Sequence, residues 1–505
     1  MKLKIIVFNL FFILLNGFCG QIIKLSDQIW FLNNDKITIP HSYEYLDQNF
    51  KVINETHNKN GIYKTILPKI CGLTTKYNFI LKVDAAYQIC AVHVNDKLVD
   101  EDFESGFLPS YFNITSYLTN SETNTLKITT SIDRSGSIIP LAGDYYKFGG
   151  IYRDVWLIIL DKNETFNPYS DNEYKSPSLI YDKNDGWFKD KNNHKVFLKG
   201  VNYHQYLGLD WNYNEEKELK DLMLIKAMGA NAIRTAHYLR SSKFYELCDK
   251  LGLYVFTELP INQRLNTNSL DHLERYAKKM VYELRKYPCV ISYGIYNELH
   301  ANNIYEIRYL NDIVHSIDNS RPTYAATQYN LRNCAEIQDI LGLNYYGGWY
   351  DNQLGPLDIA KYCRQRHQQF WQPSFFITEY GAGANINQTS KMIPLNVKSN
   401  MVDVVEIVGN KTNHHYVAKG SPNNSYWQPA DYQELWHKIA WKIIENDPYC
   451  NTNCAGVFIW QMFDTPAPRK EGGTTNTNTK GIMTIDRIPK PAYYFYKNVW
   501  NAKSK

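Results

Sequence analysis

VFLKGVNYH (196–204) is followed by EEKELKDLMLIKAMG (215–229), AIRTAHY (232–238) by SKFYELCDKLG (242–252), and YVFTELP (254–260) by LERYAKKMVYELRKYP (273–288). In each pair a short apolar run precedes a longer stretch whose apolar residues recur at helical spacing. A strand buried on both faces reads as a continuous apolar run, and a helix must return the chain to the next parallel strand, so these pairs predict βα units. The series continues through VISYGIYNE (290–298), TYAATQY (323–329), DILGLNYY (339–346), FFITEYG (375–381) and AGVFIWQMFD (455–464). Strand starts near 196, 231, 254, 290, 323, 339, 375 and 455 make eight. Eight units predict a closed (β/α)8 TIM barrel over 196–505, since a doubly wound sheet would carry a glycine-rich phosphate turn after its first strand. Residues 385–429 lack clear periodicity and read as a long loop after the seventh strand, an active-site wall or a disordered insertion.

Upstream the period changes to two. YNFILKVDA, ICAVHVND, TLKITTSI and YRDVWLIIL, separated by polar turns, predict a jelly-roll-like antiparallel β-sandwich over 21–166. The chain is therefore multidomain, an N-terminal β-sandwich followed by a C-terminal barrel, with 167–195 as a polar linker between them. Lys2 and Lys4 before an apolar run from Ile5 to Leu15, then small residues to Gly20, predict a signal peptide over 1–20. The expected location is secreted or lysosomal. The full chain has 55 Lys+Arg against 51 Asp+Glu, a net charge of +4, which excludes a chain dominated by basic charge and argues against nucleic acid as a partner. No later run is long enough to span a bilayer. Cys450 and Cys454 are the best pair for a local disulfide. Sequons at Asn54, Asn113, Asn163, Asn387, Asn410 and Asn423 fit a glycosylated exported protein.

A barrel carries its chemistry at the C-terminal ends of its strands. His204, His237, Glu258, Glu298 and Glu379 all stand at such ends. Glu298 closes the fourth strand and Glu379 the seventh, on opposing sides of the barrel mouth, where two carboxylates can flank a glycosidic bond. Glu379 is assigned as nucleophile and Glu298 as acid/base. Arg234 and Tyr346 are candidate donors to Glu379, and Asn297 to a sugar 2-hydroxyl. His204 and His237 would donate to sugar hydroxyls or the leaving oxygen, with zinc held by both and Glu258 as the competing reading. Trp460 is suited to the apolar face of a sugar or to the core.

Together GGIYRDVWL (149–157), KGVNYHQ (199–205), MGANAIRTAHY (228–238), YGIYNEL (293–299), ITEYGAGA (377–384) and KGIMTIDRIPKPAYYFYKNVW (480–500) resemble glycoside hydrolase family 2, the β-galactosidase, β-glucuronidase and β-mannosidase family. The resemblance implies that the Glu of YNE is the acid/base and the Glu of TEYG the nucleophile, and that the sandwich binds sugar. It implies a role for Asp144, sent from the sandwich to bind distal hydroxyls, and a place for Glu258 near a magnesium ion in metal-dependent relatives. It also implies that Asn478 and Lys480 form the Asn-x-Lys pair that grips a uronate carboxylate in β-glucuronidases. The short bacterial β-galactosidases carry the pair too, and EYGAGANINQ, WQMFDTPAPRKEGG and KPAYYFYKNVW are closer to theirs. The family usually has an immunoglobulin-like domain before the barrel, so 167–195 reads as its reduced remnant. The expectation is a retaining exo-β-glycosidase hydrolysing terminal β-D-galactose, with a β-glucuronidase or an inactive carbohydrate-binding homologue as alternatives. The expected partner is a β-glycoside, with no membrane and with a homo-oligomer allowed. No cofactor is required, with Mg2+ or Na+ near the site as an open addition.

Overall fold

The computed structural model describes residues 20–502 except 48–50, 57–59, 70–72, 121–122, 133–139, 141–142, 144, 171–172, 207–210, 266–269, 301–302, 328–335, 351–353, 389–390, 399–400, 409–410, 417–428 and 472–473. The predicted signal peptide, apart from Gly20, lies outside them, as do Asp144, Cys71, Cys334 and two of the sequons, Asn410 and Asn423.

Strands Asn60–Ile66 and Thr125–Ser131 alternate buried and more exposed residues along their length, the pattern of a sheet with one face in a core. They belong to an antiparallel six-stranded sheet that faces a four-stranded one built from Gln21–Lys24, Val155–Asp161, Tyr77–Val83 and Ser110–Asn113. Trp30, Phe79, Leu81, Val92, Leu126, Ile128 and Leu157 fill the space between them. This is the sandwich expected from the period-two pattern.

The barrel closes as eight parallel strands in chain order: β1 (Leu198–Asn202), β2 (Ala232–Arg234), β3 (Tyr254–Glu258), β4 (Val290–Asn297), β5 (Thr323–Thr327), β6 (Ile340–Tyr345), β7 (Phe375–Tyr380) and β8 (Cys454–Ile459). Nearly every residue of these strands is buried, because the barrel interior and the surrounding helices cover both faces.

Residues 167–195 carry, among the described residues, one two-stranded hairpin, Ile180–Asp182 with Trp187–Lys189. It packs under the N-terminal ends of the barrel strands. Phe188 meets Phe256 at 5.8 Å and Phe376 at 6.0 Å between ring centroids, and Leu179, Tyr181 and Trp187 join the same apolar cluster. The segment is thus a plug for the barrel floor.

The sandwich docks at the other end through aromatic rings. Trp211, fully buried, meets Tyr87, Phe107, Phe148 and Tyr152 from the sandwich at 5.4 to 5.8 Å and Tyr238 from the barrel at 5.6 Å. Arg153 crosses the junction, donating to Gln205 Oε1 at 2.6 Å and to the Leu239 carbonyl at 2.9 Å.

Two expectations are corrected. The insertion after β7 is not without regular structure: it contains a three-stranded antiparallel sheet, Lys391–Lys398, Met401–Val408 and Lys411–Tyr416. Cys450 and Cys454 form no disulfide. Cys450 lies in the short helix Pro448–Asn453, whereas Cys454 opens β8 and directs its thiol to the Gly456 carbonyl.

Candidate active site

Arg234, the last residue of β2, is fully buried and organises the barrel mouth. Its Nε donates to Glu258 Oε2 at 3.0 Å. Nη1 donates to Asn202 Oδ1 and Glu379 Oε1, each at 2.8 Å. Nη2 donates to Glu258 Oε1 at 3.1 Å and Asn297 Oδ1 at 2.9 Å. All five guanidinium N–H groups therefore meet oxygen acceptors contributed by β1, β3, β4 and β7, which a rigid planar fork can do and a lysine cannot.

Glu379 sits on β7, 4% exposed. Arg234 holds one of its oxygens, and the Tyr346 hydroxyl donates to Oε2 at 2.7 Å. Burial, followed by the Glu379 charge, pushes the Tyr346 pKa well above its usual value, so the phenol keeps its proton and remains a donor. Both donors expected for Glu379 are in place.

Glu298 follows β4 directly and adopts φ of 48°, a left-handed conformation that a residue with a side chain adopts at a cost in energy. The Asn344 side chain donates to its Oε1 at 2.8 Å. Asn344 pairs in register with Glu379 across β6 and β7, and its Oδ1 accepts from Thr378 at 2.8 Å. Through Asn344 the two carboxylates share one support. Glu298 is partly open to solvent whereas Glu379 is buried.

Glu258 is fully buried and both its oxygens are taken. Besides Arg234 it meets His237 Nδ1 at 2.7 Å and accepts from the Tyr324 hydroxyl at 2.8 Å. Burial alone would raise its pKa, but Arg234, then His237 and Tyr324, outweigh that and hold the carboxyl below its ordinary range. These surroundings do not fit a divalent cation, because donors already fill the carboxylate on both sides. Among the described residues no group of three His, Cys, Asp or Glu could hold a metal. Of the residues in the zinc reading, His237 turns Nδ1 to Glu258 at 2.7 Å and His204 turns Nδ1 to the Tyr238 hydroxyl at 3.0 Å, so neither of these nitrogens is directed at a shared cation.

His237 stacks on Trp460 at 5.1 Å, and His204 meets the same indole edge-on at 5.4 Å. Tyr145, the chain neighbour of Asp144, packs on His204 at 5.4 Å, so the sandwich contributes to this wall of the site. Lys480, whose carbonyl accepts from the backbone N–H of Gln461 next to Trp460 at 3.0 Å, is buried, with Nζ 5.4 Å from the Trp349 ring centre and 4.9 Å from that of Tyr350. Tyr350 in turn meets Tyr346 at 5.3 Å. Asn478 Oδ1 accepts from the Lys480 backbone N–H at 3.1 Å, which fixes the turn between them.

The sequence reading did not single out Asn202, Asn262, Tyr324 or Asn344. Asn262 accepts from the Asn297 amide at 2.9 Å and so orients that side chain. Asn202 and Asn344 stand at strand ends within GVNYH and GLNYY, the same positional signal that identified His204 and Tyr346.

The family profile described as glycosyl hydrolases family 2, TIM barrel domain, matches residues 190–440. A beta-glucuronidase of Bacteroides fragilis is 29% identical over 56% of this chain and 38% of its own length. This chain thus spans well under half of that relative. A beta-galactosidase of Thermoanaerobacter pseudethanolicus is 22% identical over 93% of this chain and 70% of its own. The crystal structure of a Bacteroides uniformis beta-glucuronidase shares the fold with a TM-score of 0.75 at 20% identity, over 96% of this chain and 70% of that one.

Proposed function

Residues 190–440 belong to glycosyl hydrolases family 2, and on that premise we propose that the chain is a retaining exo-β-glycosidase acting on a terminal β-D-galactoside. The observation that carries the reading is the pair Glu379 and Glu298 in unlike surroundings. Glu379 is buried and held by Arg234 and Tyr346, whereas Glu298 accepts from the Asn344 amide and is partly open to solvent. A buried carboxylate fixed by two donors is suited to in-line attack on carbon, whereas one that reaches solvent is suited to trading a proton with the leaving oxygen and with water.

Glu379 attacks the anomeric carbon as the bond from that carbon to the leaving oxygen breaks, and Glu298 delivers its proton to that oxygen. The products are the free aglycone alcohol and a glycosyl ester on Glu379. Glu298, now ionised, takes a proton from water whose oxygen attacks the same carbon, and the ester bond to Glu379 breaks. Asn297, held by Arg234 and Asn262, is the donor to the 2-hydroxyl. Trp460 with His204 and His237 forms the wall against which the sugar lies.

The galactoside assignment rests on the motifs around Glu379, Trp460 and the last helix. A β-glucuronide is the second reading, favoured by the buried cation of Lys480 beside the tyrosines that lead to Glu379 and by the name of the Bacteroides fragilis relative. Work in the secretory pathway is part of the same proposal, and N-terminal sequencing of protein secreted from a eukaryotic host tests it. Hydrolysis of 4-nitrophenyl β-galactoside and β-glucuronide by purified protein decides the sugar. Glu379→Gln and Glu298→Gln should each lower kcat by at least about 10³-fold, and NMR should find the first product with retained configuration. Unchanged rates in Glu379→Gln refute the nucleophile, and no turnover of any aryl glycoside leaves the inactive homologue standing.

A further inference from the structure

A cavity of about 700 Å³ opens where the sandwich meets the barrel helix Leu270–Leu284. On one side stands Ser110–Asn113, an edge strand of the four-stranded sheet, and on the other Arg275 and Lys279 of that helix. Alternation along the strand sends Phe112 into the sandwich core and puts Tyr111 and Asn113 on the opposite face. Tyr111 shows where that face points: its hydroxyl donates to Glu283 Oε1 on the helix at 2.9 Å, and its ring meets Phe166 at 5.2 Å. Asn113 therefore stands on the rim of the cavity, exposed, in the sequon Asn113-Ile114-Thr115. Its Oδ1 accepts from the Thr115 backbone N–H at 3.1 Å, and its Nδ2 meets no acceptor among the described residues. Asn54 offers a contrast, since its Nδ2 donates to Glu44 Oε1 at 3.1 Å and the Thr56 of its sequon is buried.

The lining fits a neutral saccharide. The faces of Phe166 and Tyr169 suit the apolar side of a pyranose, and the carboxylates of Asp100 and Glu101 accept from hydroxyls. Among the described lining residues five carboxylates outnumber two cations. Both cations are engaged, Lys279 with Asp102 at 2.5 Å and Arg275 with Glu104 at 2.9 Å. That surplus of negative charge repels an anionic sugar. A saccharide tethered at the rim needs only weak contacts to stay seated, because a short tether raises its local concentration to about the millimolar range.

We propose that Asn113 carries an N-linked glycan whose first, neutral sugar rings lie in this cavity and bridge sandwich and barrel. The inference rests on the secretory reading and is independent of the glycosidase one. A bond forms between Asn113 Nδ2 and the anomeric carbon of a sugar supplied on a lipid diphosphate. The bond from that carbon to the phosphate oxygen breaks, the diphosphate leaves with the electron pair, and Nδ2 gives up one proton. The full chain is expressed with its own N-terminus in a eukaryotic secretory host, and its glycopeptides are mapped by mass spectrometry. Asn113 should be occupied in most molecules and Asn54 in few. Release of the Asn113 glycan by a peptide N-glycosidase should be slow in native protein. Phe166→Ala, and separately the surface change Glu101→Ala, should speed native release by about three- to tenfold, with equal rates for all forms after denaturation. A bare Asn113 in secreted protein overturns the site. Native release as fast from the wild type as from both variants overturns the seat in the cavity. Retention in the cytosol refutes the secretory reading instead, and the same chain behind a host leader then tests Asn113 by itself, with the same two results overturning the proposal.

Discussion

Replacing Glu258 by glutamine changes one atom and tests the organisation of the whole barrel mouth. Four hydrogen-bonding groups converge on this carboxylate: Arg234 through Nε and Nη2, His237 Nδ1 and the Tyr324 hydroxyl. A glutamine amide offers one acceptor oxygen, so its NH2 must face two of those donors whichever way it flips. The buried Arg234 cation meanwhile keeps Glu379 as its one carboxylate partner. Breaking one side of a buried ion pair costs about 3 to 5 kcal/mol, and that is the destabilisation expected in urea denaturation at pH 7. The sign of its pH dependence follows from the lowered pKa of Glu258. A carboxylate held below its ordinary value stabilises the fold above the unfolded pKa, and that contribution is lost as pH falls through the folded one. The deficit of the variant should therefore be largest near neutrality and narrow below about pH 4. Activity should fall as well, because Arg234 relaxes toward Glu379 and His237 loses its support. A displacement of about 1 Å lowers kcat/KM by about 10²-fold. A variant with the stability, pH dependence and kcat/KM of the wild type would refute the view that Arg234 is positioned from both sides.

Three further outcomes follow from other contacts. Tyr346→Phe removes one of the two donors to Glu379 and should lower kcat by about 10- to 100-fold with little loss of fold, since a hydrogen bond to a charged group contributes about 1.5 to 3 kcal/mol; steady-state kinetics on an aryl glycoside reads it. Trp211→Ala should cost about 3 to 5 kcal/mol and loosen the sandwich from the barrel, measured as limited proteolysis at the junction. Burial pushes His437 from 6.5 down to about 3. The unfolded chain therefore takes a proton that the folded one refuses, and stability declines as pH falls from about 6.5 toward 3, by up to about 1.4 kcal/mol per unit. Denaturation at pH 7 and pH 4.5 should show a smaller difference for His437→Gln than for the wild type.

The barrel was legible because parallel strands buried on both faces leave unbroken apolar runs, and each predicted start lies within two residues of an observed strand. The sandwich was legible from its alternation. Glu298 and Glu379 followed from one geometric rule about strand ends, and Arg234 and Tyr346 from the need to keep a carboxylate ionised. The same rule could not say that Glu258 supports Arg234 and leaves no room for a cation, because a strand-end acid looks alike whether it meets a metal, a substrate or an arginine. Asn202 and Asn344 were hidden for a related reason: an asparagine in a strand-end sequence resembles the turn residue it usually is. The floor hairpin was hidden by its composition. Its apolar residues are few and sit in a polar stretch, and only the barrel beneath which it lies explains why Trp187 and Phe188 are buried.

That hairpin also defines what can be cut and moved. Anyone wishing to express the catalytic half alone, graft it behind another binding module or permute its ends would place the boundary at Val196, where the first strand is about to begin. Such a fragment would expose the undersides of Phe256, Phe376 and Phe458, an apolar opening that Phe188 and its neighbours now cover. It should aggregate. The smallest transplantable unit starts before Leu179, so the apparent connector is inherited with the barrel and the seam between exchangeable parts lies upstream of it.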